Sequence, residues 1–409
     1  MPDAGELSGC AMTPPCFPPP TTRRGARLNG AVLRIACLIG AGACLWIGFS
    51  VPERGGDFNE FYSAAKLAGS GHLYDWDRIQ KVELENGAIV IPLGRLPVYA
   101  ALMKPLAALP YPYARAVWLL ANLAALIWFA LLWPGRRSDA VTMLCWSCPA
   151  AILLSTGQDT GLFLLFVTLG LRLLQSKRSF AAGLVLSLCA AKPHLALGIP
   201  IFLLARRKWG ALAGGLAGGV IQTVVSFAIE GREWPARLLQ LSRISDFSPA
   251  PAKMPNLLGL THWLPHGAAA EAVLAVLVLA AAWRIARRSP LAVGATAAIV
   301  AGLLASHHAY VYDAVLLLPA LLLAMRWQLP QGSRYGVLLL CAPIPYLLLM
   351  KDHLAWAAQI GINGFCLSFM AGLALHGVRT RTGRGASGSR AREAYGFNSR
   401  AAAGSISAE

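Results

Sequence analysis

Residues 56–66, GDFNEFYSAAK, place two carboxylates, several aromatic rings and a lysine directly after the first membrane-length apolar run. Asp57 and Glu60 stand three residues apart, so they share one face if this stretch is helical. Either carboxylate could act as a general base, a role that requires hydrogen-bond reach to the proton being removed. The structural alternative is that Asp57 caps the helix that follows it, a position that Asp favours.

Further polar candidates lie at the ends of later apolar segments. Ionisable groups in or beside membrane spans are costly, so each is treated first as a functional hypothesis. They are Tyr74 and Asp75, Gln158 and Asp159, Lys192 and His194, and the run Ser306, His307, His308, Tyr310, Tyr312 and Asp313. We expect these groups to converge, because the hydropathy pattern described below puts all of them on one side of the membrane.

Lys192 and the histidine pair offer donors for an anionic ligand. A buried cation at Lys192 could bind a phosphate, although a lysine at the end of a span can also extend its ammonium to the interface. His307 or His308 could contact a phosphate or a sugar. Neither histidine has metal-ligand spacing with a third strong ligand, so no metal is expected, although Asp159 and Asp313 leave that alternative open. No phosphate-binding or dinucleotide fingerprint indicates a nucleotide cofactor.

Composition indicates the class of protein. Of 409 residues, 56% are hydrophobic and 13% are charged, whereas soluble domains carry about 25% charged residues. The net charge of +17 could suggest nucleic acid in a soluble protein. Here the Lys and Arg residues form short clusters between apolar runs, a pattern that sets orientation in a membrane. We therefore expect an all-α polytopic membrane protein, with membrane lipids and not nucleic acid around it.

Apolar runs of about 20 residues predict the membrane spans. The candidate spans are 31–50, 114–133, 138–155, 159–175, 179–192, 194–205, 209–229, 269–286, 290–306, 309–326, 334–350 and 354–376. The short runs on either side of Lys192 could instead form one broken helix pair or re-entrant segments. We expect a bundle of about 10–12 transmembrane helices, with a long first loop outside.

Charge alternation between the spans predicts the orientation and the domain limits. Basic connections alternate with connections that hold the candidate site residues, so the basic set is expected in the cytoplasm and the site outside. Residues 31–376 form the predicted membrane domain. Residues 1–30 and 377–409 are predicted to be disordered cytoplasmic tails.

Several of these segments together resemble the family 87 glycosyltransferases. The residues that carry the resemblance are Asp57-Phe58-x-x-Phe61-Tyr62-x-x-Ala65, Gly71-x-Leu73-Tyr74-Asp75, Pro105-Leu106-x-x-Leu109-Pro110, Gly157-Gln158, Ala182-Gly183, Lys192-Pro193 and Ser306-His307-His308-x-Tyr310-x-Tyr312-Asp313. The likeness extends from about residue 57 to about residue 320. The family pattern usually has Tyr-Pro-Pro where this chain has Arg95-Leu96-Pro97, and Asn where it has Asp159.

The resemblance implies a GT-C-like fold and a polyprenyl-phosphate-mannose-dependent transferase of the cell (inner) membrane. In that reading Asp57 removes a proton from a lipid or glycan acceptor hydroxyl, the sugar configuration inverts, and polyprenyl phosphate leaves. The residues implied to bind substrate are Glu60, Tyr62, Tyr74, Asp75, Gln158, Lys192, His194, His307, His308 and Tyr312. Lys192 and one of the two histidines would stabilise the departing phosphate.

Two other functions use the same residues differently. A transporter or lipid flippase would bind and move a polar or lipid-linked substrate with these buried groups. The chain shows no detectable inverted repeat, which weighs against that function. A non-catalytic partner in envelope biosynthesis would keep Asp57 for structure alone.

Overall fold

The computed structural model describes residues 30–50, 56–86, 90–91, 93–243, 250–326, 340 and 343–376. Regular structure within these ranges is helical throughout. The α-helices are Gly30–Ser50, Phe58–Leu67, Trp76–Leu84, Pro97–Leu102, Lys104–Ala107, Tyr111–Leu132, Arg137–Cys145, Cys148–Thr156, Thr160–Gln175, Ser179–Ser187, Gly198–Ala205, Trp209–Glu230, Trp234–Leu241, Leu257–Thr261, Gly267–Arg288, Leu291–Ala305, Leu318–Arg326, Pro343–Leu349 and Ala355–His376. The 3-10 helices are Leu188–Ala191, Leu195–Leu197, Pro251–Lys253 and Val311–Leu317.

The fold is that of an all-α polytopic membrane protein, as the composition predicts. Within the described ranges, four helices are long and apolar enough to cross a membrane. They are Tyr111–Leu132, Trp209–Glu230, Gly267–Arg288 and Ala355–Leu375. The helices Arg137–Cys145 and Cys148–Thr156 meet at 62° and could together make a fifth crossing.

Several of the predicted spans are shorter or broken in the structure. The run 179–205 contains two α-helices and two 3-10 helices, and the chain leaves helical geometry at Lys192. The predicted span 309–326 begins as the 3-10 helix Val311–Leu317. Both breaks occur where polar site residues interrupt the apolar sequence, and the break at Lys192 agrees with the broken helix pair that the sequence left open.

The centre of the helical bundle is the helix Leu291–Ala305. Each of its residues from Ala292 to Leu304 is buried, and it packs on Gly267–Arg288 and Gly198–Ala205. Its sequence has apolar or small residues on every side, as expected for a helix surrounded by protein. This helix ends at Ser306 and therefore delivers the predicted histidine and tyrosine motif to one end of the bundle.

The first long connection folds into four short helices that pack against the bundle. Phe58–Leu67 is the innermost of them, and nine of its ten residues are buried. Phe58, Phe61 and Trp118 belong to a separate apolar cluster that joins this connection to the helix Tyr111–Leu132. The cluster fixes the position of Asp57, which directly precedes Phe58. The predicted tails, 1–29 and 377–409, lie outside the described residues.

Candidate active site

A close approach of two turns brings Asp57 to the bundle. Gly157 ends the helix Cys148–Thr156 with φ of 78°, and a Cβ atom at this position would lie 2.8 Å from the Phe58 Cβ. Only glycine combines this left-handed conformation with so close a contact. Trp118 Nε1 donates to the Gly157 carbonyl at 2.6 Å. The two turns are therefore held together, with Asp57 facing Gln158.

The Asp57 side chain does not cap the helix that it precedes. It occupies the N-cap position without a side-chain capping hydrogen bond. The residue is 8% exposed, and its Oδ2 atom is buried without a hydrogen-bond partner. Burial raises the pKa of this carboxyl, while a hydrogen bond from Gln158 and the charge of Lys192 oppose the rise. Asp57 thus keeps one carboxylate oxygen unused inside the protein, as a base awaiting a substrate hydroxyl would.

Glu60 lies on the same side of the helix and has a different environment. Its Oε1 atom is 3.9 Å from Arg95 Nε, beyond hydrogen-bond distance. Burial raises the pKa of Glu60 to about 8, against the opposing charge of Arg95. Asp57 contributes further to the rise. Glu60 therefore holds its proton near neutral pH.

Arg95 connects the first connection to the bundle, and the sequence interpretation did not include it among the site residues. Its guanidinium makes a two-point ion pair with Asp159, through Nη1 to Oδ2 and through Nη2 to Oδ1. Nη2 also lies 3.5 Å from Gln158 Oε1. Burial alone would raise the pKa of Asp159, but the charges of Arg95 and Lys192 hold it below its usual range. An isolated arginine in a predicted outer connection departs from the positive-inside pattern, and this departure is the feature of the sequence that could have pointed to Arg95.

Lys192 continues the chain of charges into the bundle. Its Nζ atom donates to Thr160 Oγ1 and to Asp313 Oδ1, each at 2.8 Å, and lies 3.6 Å from Asp159 Oδ1. It also lies 4.8 Å from the centre of the Tyr312 ring. A network of charges therefore runs from Arg95 through Asp159 and Lys192 to Asp313. Two of the three ammonium donors are used on protein groups, so Lys192 is held more firmly than an exposed lysine would be.

A row of aromatic rings borders the network. Tyr312 stacks on Tyr310 at 5.0 Å, and His308 meets Tyr310 edge-on at 4.9 Å. His194 meets His308 at 5.9 Å. Burial lowers the pKa of His194 to about 4 and also lowers the pKa of His308. Both rings are therefore neutral near pH 7 and can offer N–H donors but not positive charge.

Four of the predicted substrate-binding residues have other contacts. Tyr62 donates to the Leu109 carbonyl at 2.8 Å, and Tyr74 donates to the Arg95 carbonyl at 2.5 Å. Asp75 accepts a hydrogen bond from the Arg78 amide at the start of the helix Trp76–Leu84. The His307 side chain is 82% exposed and lies 3.0 Å from Glu271. Periodicity alone could not separate these residues from the network, because it does not specify how each segment is rotated.

A cavity of about 260 Å³ opens beside the charged network. Arg95, Asp159 and Lys192 line its polar part. The remaining wall is largely apolar and includes Phe163 and Phe166. The cavity therefore combines an apolar chamber with two cationic side chains, a shape that suits a molecule with a lipid chain and an anionic head group.

Fold and site together define a polytopic membrane protein with a buried carboxylate beside a cation-bordered cavity. The chain belongs to glycosyltransferase family 87, whose model matches residues 97–307. It is accordingly a membrane glycosyltransferase, which favours transfer over the transporter alternative. The match begins after Asp57 and includes Gln158, Lys192 and His194. No curated protein and no solved structure matches the chain.

Proposed function

We propose that this protein transfers mannose from a polyprenyl-phosphate donor to a hydroxyl of an envelope lipid or glycan, with Asp57 as general base. The observation that carries the proposal is the buried Asp57 carboxylate, which has an oxygen without a partner beside Gln158 and the cationic network. Burying a carboxylate in this way costs free energy, so a functional role is the first hypothesis for it. Mannose and the lipid donor come from the family resemblance, and the cavity supports the lipid donor.

The largely apolar chamber favours a lipid-linked sugar over a nucleotide sugar. A nucleotide would need polar partners for its base, ribose and two phosphates. The chamber provides Arg95, Lys192 and the Asp159 carboxylate that they flank at its polar part, and mostly aromatic or aliphatic side chains elsewhere. Such a wall stabilises a bound prenyl chain, because binding removes apolar surface from water. The single phosphate of the donor would lie at the cationic part.

Arg95 is better suited than Lys192 to contact the departing phosphate. Lys192 already donates to Thr160 and Asp313. The Nε atom of Arg95 faces Glu60 at 3.9 Å without a hydrogen bond, and Glu60 keeps its proton near neutral pH. Arg95 can therefore direct a donor to phosphate without giving up Asp159, and a guanidinium binds phosphate strongly. Lys192 then contributes positive charge at longer range, and His308 contributes a neutral N–H donor.

The reaction proceeds by one displacement. Asp57 removes the acceptor hydroxyl proton as that oxygen bonds to the anomeric carbon, and the bond between this carbon and the phosphate oxygen breaks. The electron pair of the broken bond leaves with polyprenyl phosphate, whose added charge the cations stabilise. Attack opposite to the leaving group inverts the anomeric configuration. The site faces the extracytoplasmic side in this account, in agreement with the charge alternation of the connections.

A donor comparison tests the proposal. Purified full-length protein in lipid nanodiscs would receive radiolabelled polyprenyl-phosphate mannose or radiolabelled nucleotide-linked mannose, each with an envelope-lipid extract as acceptor. We expect a labelled product that separates from the donor by chromatography and withstands the mild acid that hydrolyses the donor, from the first donor alone and not from protein carrying Asp57→Asn. Product from the nucleotide donor alone, or equal product from the Asp57→Asn protein, would contradict the proposal.

A further inference from the structure

A second cavity, the outer cleft, lies between residues 70–75 and residues 230–240 and has a volume of about 620 Å³. Hydrogen bonds join its two sides. The Gly69 amide donates to Glu230 Oε1 at 2.5 Å, and the Arg237 guanidinium donates to the Gly71 carbonyl. Both sides belong to the long connections that the charge pattern assigns to the outer face. The outer cleft is therefore expected on the same side of the membrane as Asp57.

The chemistry of the outer cleft differs from that of the apolar cavity. Its lining includes three carboxylates, two guanidinium groups and the amide of Gln240. The charges are largely compensated, since Arg237 pairs with Glu233 at 2.5 Å. A cleft of this kind presents donors and acceptors without a strong field of either sign. It therefore favours an uncharged ligand rich in hydroxyl groups over a phosphate or another polyanion.

Tyr74 stands between the outer cleft and the catalytic network. The residue lines the cleft, and its hydroxyl donates to the carbonyl of Arg95 at 2.5 Å. The side chain of the same Arg95 lines the apolar cavity and pairs with Asp159. Tyr74 thus connects the lining of the outer cleft to the backbone of a residue whose side chain lines the apolar cavity.

We propose that the outer cleft binds the uncharged glycan part of the acceptor, while the lipid donor occupies the apolar cavity. This inference rests on the proposed function, because it assigns the second substrate to a second cavity. Arg232 and Gln240 are both exposed and line the cleft, so they are the side chains best placed to hydrogen-bond to sugar hydroxyls. Separate cavities would let donor and acceptor bind without competing for one space.

The test measures sugar binding directly, without any transfer step. Full-length Asp57→Asn protein in nanodiscs would be mixed with methyl α-mannobioside or methyl α-maltoside, and binding would be followed by saturation-transfer NMR. Glucose 6-phosphate serves as the anionic comparison. Arg232→Ala combined with Gln240→Ala removes the proposed contacts. Arg243→Ala is the matched control, because Arg243 is also exposed and does not line the cleft.

We expect at least one uncharged glycoside to bind, with affinity about tenfold or more weaker in the double variant, the loss expected for one to two hydrogen bonds. The Arg243→Ala protein should bind it as the parent does. Absence of binding by both glycosides, binding of the phosphate alone, or equal binding by the double variant would overturn the inference. Because the protein used is inactive and no donor is present, these outcomes are independent of whether the proposed donor is correct.

Discussion

Arg95 and Asp159 form a two-point ion pair between the first connection and the start of the helix Thr160–Gln175. Their coupling explains how a buried arginine and a buried aspartate are accommodated in one chain.

Substituting both residues should therefore lower the unfolding free energy by less than the sum of the losses in the two single variants. Arg95→Tyr leaves Asp159 with Lys192 as its remaining ion-pair partner, and Asp159→Asn leaves Arg95 facing a protonated Glu60. We expect the double variant to recover about 1–3 kcal/mol of unfolding free energy relative to the sum of the single losses. Denaturant unfolding of the four proteins in detergent measures this coupling. Additive losses would show that the pair is not a unit.

Lys192 should be required for the stability of the folded bundle as well as for activity. Its side chain is 6% exposed and bonds to Thr160 and Asp313. Lys192→Met leaves the buried Asp313 carboxylate without its cation, which should lower the unfolding free energy by about 3–5 kcal/mol. Lys81→Met, at an exposed position on the helix Trp76–Leu84, is the control and should change little. Equal unfolding curves for the two variants would contradict this role.

The two adjacent histidines should behave differently. His308 lies within the aromatic row beside His194 and Tyr310, whereas the His307 side chain is exposed and contacts Glu271. If His308 donates a hydrogen bond to the departing phosphate, His308→Ala should lower kcat about 10-fold to 100-fold. His307→Ala should leave kcat nearly unchanged. The reverse order of effects would assign the contact to His307.

The pH dependence of transfer should report the burial of Asp57. A base is active only when ionised, and burial raises the pKa of Asp57 above its usual value of 3.8. As the pH is lowered, the rate should therefore begin to fall at a higher pH than it would if the base were an exposed aspartate. Gln158→Leu removes the hydrogen bond that opposes the rise, so its acidic limb should move further toward neutral pH. An unchanged acidic side of the rate–pH profile in this variant would show that Gln158 does not influence the base.

Hydropathy and charge predicted the fold class and the meeting of several polar segments, because both depend on features that are local along the chain. Asp57, Gln158, Lys192 and His308 come from four segments that the predicted topology puts at one side of the membrane, and the structure brings them together. Which residue of each segment faces inward depends on helix rotation and on turns such as Gly157. That information is tertiary, so the sequence could not show that Asp75 accepts from the Arg78 amide or that His307 contacts Glu271.

The role of Arg95 and the pairing between distant segments could not be predicted from the sequence. A single arginine between apolar residues carries no periodic signal, and its role depends on Asp159, 64 residues further along the chain. The sequence left open a broken helix pair around Lys192, and the structure has that break, whereas the run 309–326 satisfies the hydropathy criterion as one continuous span. Lys192 and Asp313 approach to 2.8 Å across the bundle, a pairing that neither run reveals by itself.

The most direct test of the account compares the two neighbouring carboxyl groups, Asp57 and Glu60, in a single-turnover transfer assay with polyprenyl-phosphate mannose. Asp57→Asn removes the proposed base, so its rate should fall by about 100-fold or more. Glu60→Gln replaces a side chain that is already neutral near pH 7 with one of similar shape, so that protein should keep most of the rate. A Glu60→Gln protein without activity beside an active Asp57→Asn protein would assign the base to Glu60 and contradict the account.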